Sequence, residues 1–414
     1  MSGKPIPNTE DPDALDAEIL SEKDFIHLFS QIFQFKNKPL LSGSEFDDCA
    51  ALRLDSFCKD LPLQSLTFST DTVRESSDFP AGMTFWQKGW MAAAVNLSDL
   101  AAMGSDPVAF LASFGLPKTI SLNDAGALAQ GIQDCVSFFG AEVIGGDTES
   151  NDELTITGTV IGISENKNLI LRKNVKFGDL LCVTGLTGSA GVALSILLGK
   201  IRAENVSDAF LKNLTEPFPR IFEGKMLAKS GAVNSMIDTS DGLASSVYEL
   251  SALSGVFFEI DEQSLPFDEE ALEIIFLHLK NKCEQNKHDQ NENENDKIGL
   301  NGNDAAFAAE ARAILAHEAL YTGGDYELLF TIPPDKLLIV EKLFETFNSS
   351  TVADTADRFN GLSSAGKSGR FPCKFTVIGK TIAEKENVVL RHTESGQVRQ
   401  PLLKMGYDSF KKYI

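Results

Sequence analysis

The sequence predicts an α/β (α+β) protein of two domains, and three observations carry that prediction. The chain has 414 residues, and at about 150 residues per domain it reads as two domains with insertions. Short β-rich runs alternate with stretches of helical period in both halves. A polar stretch, SENKNL at 164–169, follows a β-rich run and marks the boundary.

The elements follow in order. Residues 1–22 are polar and acidic, contain Pro5, Pro7 and Pro12, and lack the charged-then-apolar layout of an export signal. They read as a mobile tail, and the N-terminal domain spans 23–164. Within it, 25–35 has helical apolar spacing, and 66–68 is a short strand entering Ser69-Thr70-Asp71. The Ala/Leu/Met-rich stretch 88–103 is a helix, 109–114 a strand and 124–139 an amphipathic helix. Val143 and Ile144 lead into Gly145-Gly146-Asp147, and 154–163 is strongly β-rich. The C-terminal domain, 170–414, repeats the mixture with a strand at 180–184, helices at 189–198 and 243–253, and a strand at 327–332. Two stretches, 281–304 and 348–369, have too little apolar surface to offset chain entropy and are expected to be mobile inserted loops.

Composition excludes several classes. No apolar run reaches the roughly 18 residues that span a bilayer. The net charge of −22 disfavours nucleic acid, whose phosphates need Lys and Arg. The six cysteines are scattered without a C-x-x-C pair, which fits neither a disulfide framework nor a zinc site. A cytoplasmic protein is expected.

The chemistry lies in carboxylates. FDDCAAL, STDT, NLSDLAAMG and IGGDT each place Asp at or beside the end of an apolar element. An isolated buried carboxylate is costly, so such groups are paired, hydrogen-bonded or metal-bound. Magnesium takes oxygen ligands, commonly one or two carboxylates with phosphates and waters. Several Asp residues without His or Cys suit a magnesium–phosphate site; the alternative for each alone is a helix cap or a turn. Asp99 shares a helical face with Asn96, three residues before it. MIDTSDGLASS adds Asp238, Ser240 and Asp241 where Gly242 opens a helix, whose N-terminal N–H groups attract phosphate.

Two Gly-rich loops compete as phosphate cradles. TGLTGSAG, at 184–191, lies between a strand and a helix. GLSSAGKS, at 361–368, matches the P-loop pattern, including Lys367. Polar residues precede it and Gly369 and Pro372 follow, so it lacks the strand and helix a P-loop requires.

As a set, FDDCAAL, STDT, AVNLSDLAAMG, VIGGDT, RKNVKFGDLLCVTG, MIDTSDGL, TGGDYELLFTIP and GYDSF resemble the thiamine-monophosphate kinases, within the superfamily that includes aminoimidazole-ribonucleotide synthetase. They occur in family order from about residue 25 to the C-terminus. The resemblance implies a fold in which N-terminal strands form a barrel across a homodimer, beside a C-terminal α/β domain. It implies ATP and thiamine monophosphate as partners and several Mg2+ ions. Asp48, Ser69, Thr70, Asp71, Asp99, Asp147, Asp238 and Asp241 would hold metal. Gly146, Asp147, Arg172 and Ser240 would meet ATP, and Asp71, Asp99, Arg172 and Asp241 would carry catalysis. Tyr407 would lie against the thiamine moiety.

Two positions depart from the pattern. Asp78 stands where many relatives have a substrate-touching His, and Gly324 where many have a Glu that contacts thiamine. Asp78 or Asp325 could supply negative charge there instead. The rival readings are another ATP-using enzyme of the superfamily, of amide-activating or selenophosphate type, and a non-catalytic binder of thiamine phosphates.

Overall fold

The computed structural model describes residues 40–42, 47–56, 63–204, 206–289, 304–359, 373–393 and 396–406. The first sheet contains β1 (Leu40–Ser42), β2 (Ala50–Arg53), β3 (Gln64–Arg74), β4 (Asp106–Pro117), β5 (Glu142–Asn151) and β6 (Thr155–Glu165), in the order β1-β2-β3-β6-β4-β5. Its pairs are antiparallel except β4 with β5. The second sheet contains β7 (Leu180–Thr184), β8 (Ser235–Asp238), β9 (Phe257–Asp261), β10 (Leu328–Ile332), β11 (Phe375–Ile382), β12 (Val388–Thr393) and β13 (Gly396–Pro401), in the order β13-β12-β9-β11-β7-β10-β8.

Helix α1 (Phe85–Met103) packs on the inner face of the first sheet, against β3 and β6. Thr84 and Gln87 form a reciprocal capping box at its start, and Gly104, in the left-handed region, ends it. A helix this apolar on all sides belongs inside the protein, and α1 also touches α2 (Leu122–Phe138) and β8. One apolar cluster therefore runs from α1, through Leu97, Leu100 and Met103, to Cys182, Met236 and Phe330 of the second sheet. Helices α3 (Ser189–Leu197), α4 (Asp208–Thr215), α5 (Ile221–Ser230), α6 (Leu243–Ser254), α7 (Glu269–Asp289), α8 (Asp304–Tyr321) and α9 (Leu337–Phe359) complete the described chain.

Residues 281–289 and 348–359, expected as loop, instead continue α7 and α9. A helix already nucleated on packed residues such as Ile275 or Val340 extends at little cost per added turn. The rest of both segments, the P-loop-like string, the helix expected at 25–35 and the N-terminal tail lie outside the described residues.

Candidate active site

Strand alternation decides which side chains of β3 reach the interior. Ser65, Thr67, Ser69, Asp71 and Val73 share the face toward α1, and Thr70 lies on the other. Ser69 Oγ donates to the Asp99 carboxylate on α1. Asn96, one helical turn earlier, accepts the Asp71 backbone N–H at 3.0 Å and donates to Ala92 O at 3.0 Å. The helix approaches so closely that a Cβ on Gly158 of β6 would lie 2.3 Å from the Asn96 amide nitrogen. Thr70 does not join this cluster; its hydroxyl donates to Gly158 O at 2.7 Å and meets Thr159 Oγ1 at 3.0 Å.

Asp48 and Asp238 close the group. The register Ala50↔Phe68 brings the residues just before β2 level with Ser69 and Asp71. Asp238 ends β8 and accepts from Ser98 Oγ at 2.6 Å. Carboxylate oxygens of Asp48, Asp99 and Asp238 all lie within 4.8 Å of one another. This all-oxygen donor set fits magnesium.

Electrostatics show the strain of that assembly. Burial, then the charges of Asp71, Asp238 and Asp48, push Asp99 well above the usual carboxylate range. Burial, with Asp48 adding to it, raises Asp238 to about 8. Burial also raises Asp71, against a hydrogen bond with Asp99. Burial and mutual repulsion disfavour the charged form of these carboxyl groups, and a bound cation would offset both.

Arg172 is the compensating cation. Its Nε donates to Asp48 Oδ2 at 3.0 Å, Nη2 to Asp48 Oδ1, and Nη1 to Glu249 Oε2 at 2.6 Å. Its backbone N–H donates to Asp47 Oδ1 at 2.6 Å. The guanidinium thus fixes Asp48, and its donors toward these carboxylates are already engaged.

The GGDYEL segment borders the cluster. Gly324, at φ 106°, donates its N–H to Ser240 O at 2.9 Å. Gly406 packs against Asp241, where a Cβ would lie 2.7 Å from Asp241 O; Tyr407, the next residue, is outside the described residues. Asp241 and Asp238 both act electrostatically on Tyr326.

The Asp325 carboxylate is engaged by the protein's own backbone, accepting from the N–H groups of Gly188, at 2.6 Å, and Ala190, at 3.1 Å. Burial, opposed by these two bonds, raises it to about 7. It caps α3, so the anion position of the TGLTGSAG loop is filled by the protein itself. Asp78 accepts from Arg74 N at 2.8 Å and Ser77 Oγ at 2.7 Å, closing the turn after β3.

Asp147 stands apart from the cluster. The pairings Asp71↔Gly158, Gly158↔Ala112 and Ala112↔Gly146 set it three strands from Asp71, about 14 Å at roughly 4.8 Å per strand. The Gly-Gly-Asp string lies inside β5, and a Cβ on Gly146 would fall 1.7 Å from Ala112 O. Gly146 and Asp147 line a cavity of 360 Å³ with Phe114, Ile132, Gln133 and Val143.

Sequence reasoning missed Ser98 and Glu249. Ser98 lies inside the NLSD string, beside Asp99, and helical spacing could have found it. No local signal marks Glu249, which is 77 residues from the Arg172 it holds.

Known proteins were then compared with this chain. The model of the AIR synthase related protein, N-terminal domain, matches residues 46–164. The thiamine-monophosphate kinase of Methanospirillum hungatei is 38% identical over 291 residues, covering 70% of this chain and 81% of that protein. That of Pyrococcus horikoshii is 32% identical over 272 residues, covering 66% and 74%. Among solved structures, AaThiL complexed with AMPPCP and TMP shares the fold at TM-score 0.65 and 22% identity, over 96% of this chain and 99% of that one. E. coli HypE, a hydrogenase maturation protein, shares it at TM-score 0.53 and 19% identity, over 91% and 96%. With the ordered motifs and the identity over most of the M. hungatei enzyme, this chain belongs to the thiamine-monophosphate kinase family.

Proposed function

We propose that this protein transfers the γ-phosphoryl group of ATP to thiamine monophosphate, giving thiamine diphosphate and ADP. The observation that carries the reading is the Asp48–Asp99–Asp238 constellation, all oxygen and within 4.8 Å, in a chain of this family. A terminal phosphate oxygen of the acceptor forms the new bond to the γ-phosphorus, and the bond to the β,γ-bridging oxygen breaks as ADP leaves. That phosphate is already a nucleophile near neutral pH, so positioning and charge neutralisation suffice. Asp48, Asp71, Asp99 and Asp238, with Asp241 beside them, would hold magnesium, which when bound supplies positive charge against the phosphate oxygens. Arg172 holds Asp48 in place, and Ser69 and Ser98 orient Asp99 and Asp238. The cavity at Gly146 and Asp147 has the size for part of a nucleotide.

We propose a homodimer as the working form. β5 is an edge strand, almost every residue of it exposed, with Ile144 at 57%. An open edge of this kind is usually covered. Leu66, Phe68, Leu111, Ile161 and Ile163 lie half-buried on the face of the first sheet away from α1. A barrel closed across two copies would cover both features. Division into domains at 164–170 is supported by the end of the first sheet at Glu165 and the start of the second at Leu180. A cytoplasmic setting is supported by five free cysteines among the described residues; no helix among those residues is long and apolar enough to cross a membrane.

The test is an acceptor panel with ATP and magnesium: thiamine monophosphate, thiamine, aminoimidazole precursors and selenide. Transfer to thiamine monophosphate is expected. Preference for free thiamine, or ADP formation only with another acceptor, overturns the reading.

A further inference from the structure

Tyr326 has no part in the reading above, yet the fold constrains it heavily. It is the one non-glycine among the described residues at positive φ, 51°. Left-handed backbone costs an L-residue about 1–2 kcal/mol, and such strain persists only where the surroundings over-determine it, often at functional sites.

The surroundings do so here. On one side, Gly324 N–H is tied to Ser240 O, and the Asp325 carboxylate is tied to the start of α3. On the other, Glu327 N–H donates to Thr239 Oγ1 at 3.0 Å, and Thr239 N–H donates to Glu327 O at 2.9 Å. The Glu327 carboxylate is gripped by Arg220 Nε at 2.7 Å and Thr184 Oγ1 at 2.6 Å. Residue 326 is pinned between two bolted neighbours. Its ring packs on the apolar cluster that contains α1. Its phenol stands in the field of Asp238, Asp241, Asp71 and Asp78, carboxylates from both halves of the chain.

Three donors of the carboxylate cluster are engaged within it: Arg172 on Asp48 and Glu249, Ser98 on Asp238, Ser69 on Asp99. Tyr326 is half-buried, and its hydroxyl has no hydrogen-bond partner among the described residues. An unspent neutral donor amid carboxylates suits a phosphate drawn to the same cations. The cavity beside Gly146 and Asp147 lies at the far edge of the first sheet, whereas Tyr326 stands with Gly324, Asp78 and Asp241.

We propose that Tyr326 is an acceptor-binding residue whose phenol O–H donates to a phosphate oxygen of the phosphorylated acceptor. This rests on the kinase reading and adds a specificity element to it. The backbone strain holds that donor in position before the acceptor arrives.

The experiment measures thiamine monophosphate binding by calorimetry, to protein saturated with AMPPCP and magnesium, alongside steady-state KM for each substrate. Tyr326→Phe removes the hydroxyl and keeps the ring; Tyr326→Asn removes both and tolerates left-handed backbone. Both are expected to raise the acceptor Kd and KM about ten-fold or more, the effect of losing a hydrogen bond to a charged group, with ATP KM changed by less than about two-fold. Unchanged acceptor binding in Tyr326→Phe overturns the assignment, as does an equal loss for ATP and acceptor. Wild-type protein that neither binds nor phosphorylates thiamine monophosphate overturns the kinase reading and this assignment together. Wild-type activity matched by Tyr326→Phe overturns this assignment alone.

Discussion

Replacing Asp99 with Asn should move stability and activity in opposite directions. Asp99 lies within 4.8 Å of both Asp48 and Asp238. Two full charges at that distance repel by about 3.5 kcal/mol at an effective dielectric of about 20. Two such pairs set the ceiling. Burial and neighbouring charge already disfavour ionisation of Asp99 and Asp238, and Arg172 compensates Asp48, so the realised relief in metal-free protein is expected at about 1–3 kcal/mol. The Asn oxygen can still accept from Ser69 Oγ, so the contact between α1 and β3 survives. In chelator, Asp99→Asn should therefore melt a few degrees above wild type, at roughly 2–4 °C per kcal/mol for a domain of about 150–250 residues. At saturating magnesium its turnover should fall about 10²-fold or more, the scale of losing one electrostatic stabiliser of the transition state. Thermal melts with and without magnesium, and a coupled ADP-release assay, measure the two effects. A variant that melts below wild type in chelator, or that retains near-normal turnover, would refute the assignment of Asp99 as a metal carboxylate.

Other perturbations separate the remaining roles. Arg172→Gln leaves the buried Asp48 charge unpaired and should cost about 3–5 kcal/mol in chelator; magnesium should restore part of it, and melts without that recovery would count against a cation site at Asp48. Glu223 is fully buried, with Arg220 Nη1 3.6 Å from its Oε1, and burial raises it against the Arg220 charge. A raised folded value means its contribution is full below the unfolded value near 4.5 and is lost as pH rises through the folded one. The stability gain of Glu223→Gln should accordingly grow with pH in urea titrations, and a gain that shrinks on the alkaline side would contradict this. Lys367→Ala should leave ATP affinity unchanged, since the sequence around it lacks the strand and helix of a P-loop; loss of ATP binding by calorimetry would reverse that ranking. Sedimentation at micromolar concentration should show a dimer, and a fully active monomer would end the case for a shared barrel.

Much of the fold was legible because its signals are local. Helical period marked α1, and β-rich runs located β4, β6, β7 and β10 to within a few residues at most ends. The i, i+3 relation placed Asn96 and Asp99 on one face, and Asn96 does hold the strand that Asp99 faces. The same alternation rule, applied to β3 over its full length, would have turned Thr70 away from Ser69 and Asp71. The strand was read as three residues long, too short to expose the pattern.

The residue types of the site were fixed by the sequence alone: a set of Asp carboxylates, with no His or Cys, each beside an apolar run. Their partnerships were decided only by tertiary structure. Asp325 could have faced a ligand, and instead caps a helix that begins 136 residues earlier, at Ser189. Arg172 could have faced ATP, and here grips Asp48 and Glu249. Asp147 carries as clear a motif as Asp71, yet the order of strands puts it on the edge strand, three strands away. The physical reason is range. Helical and strand periods are set by backbone geometry over a few residues, whereas the pairing of a buried charge depends on which distant segments the whole core brings within hydrogen-bond distance.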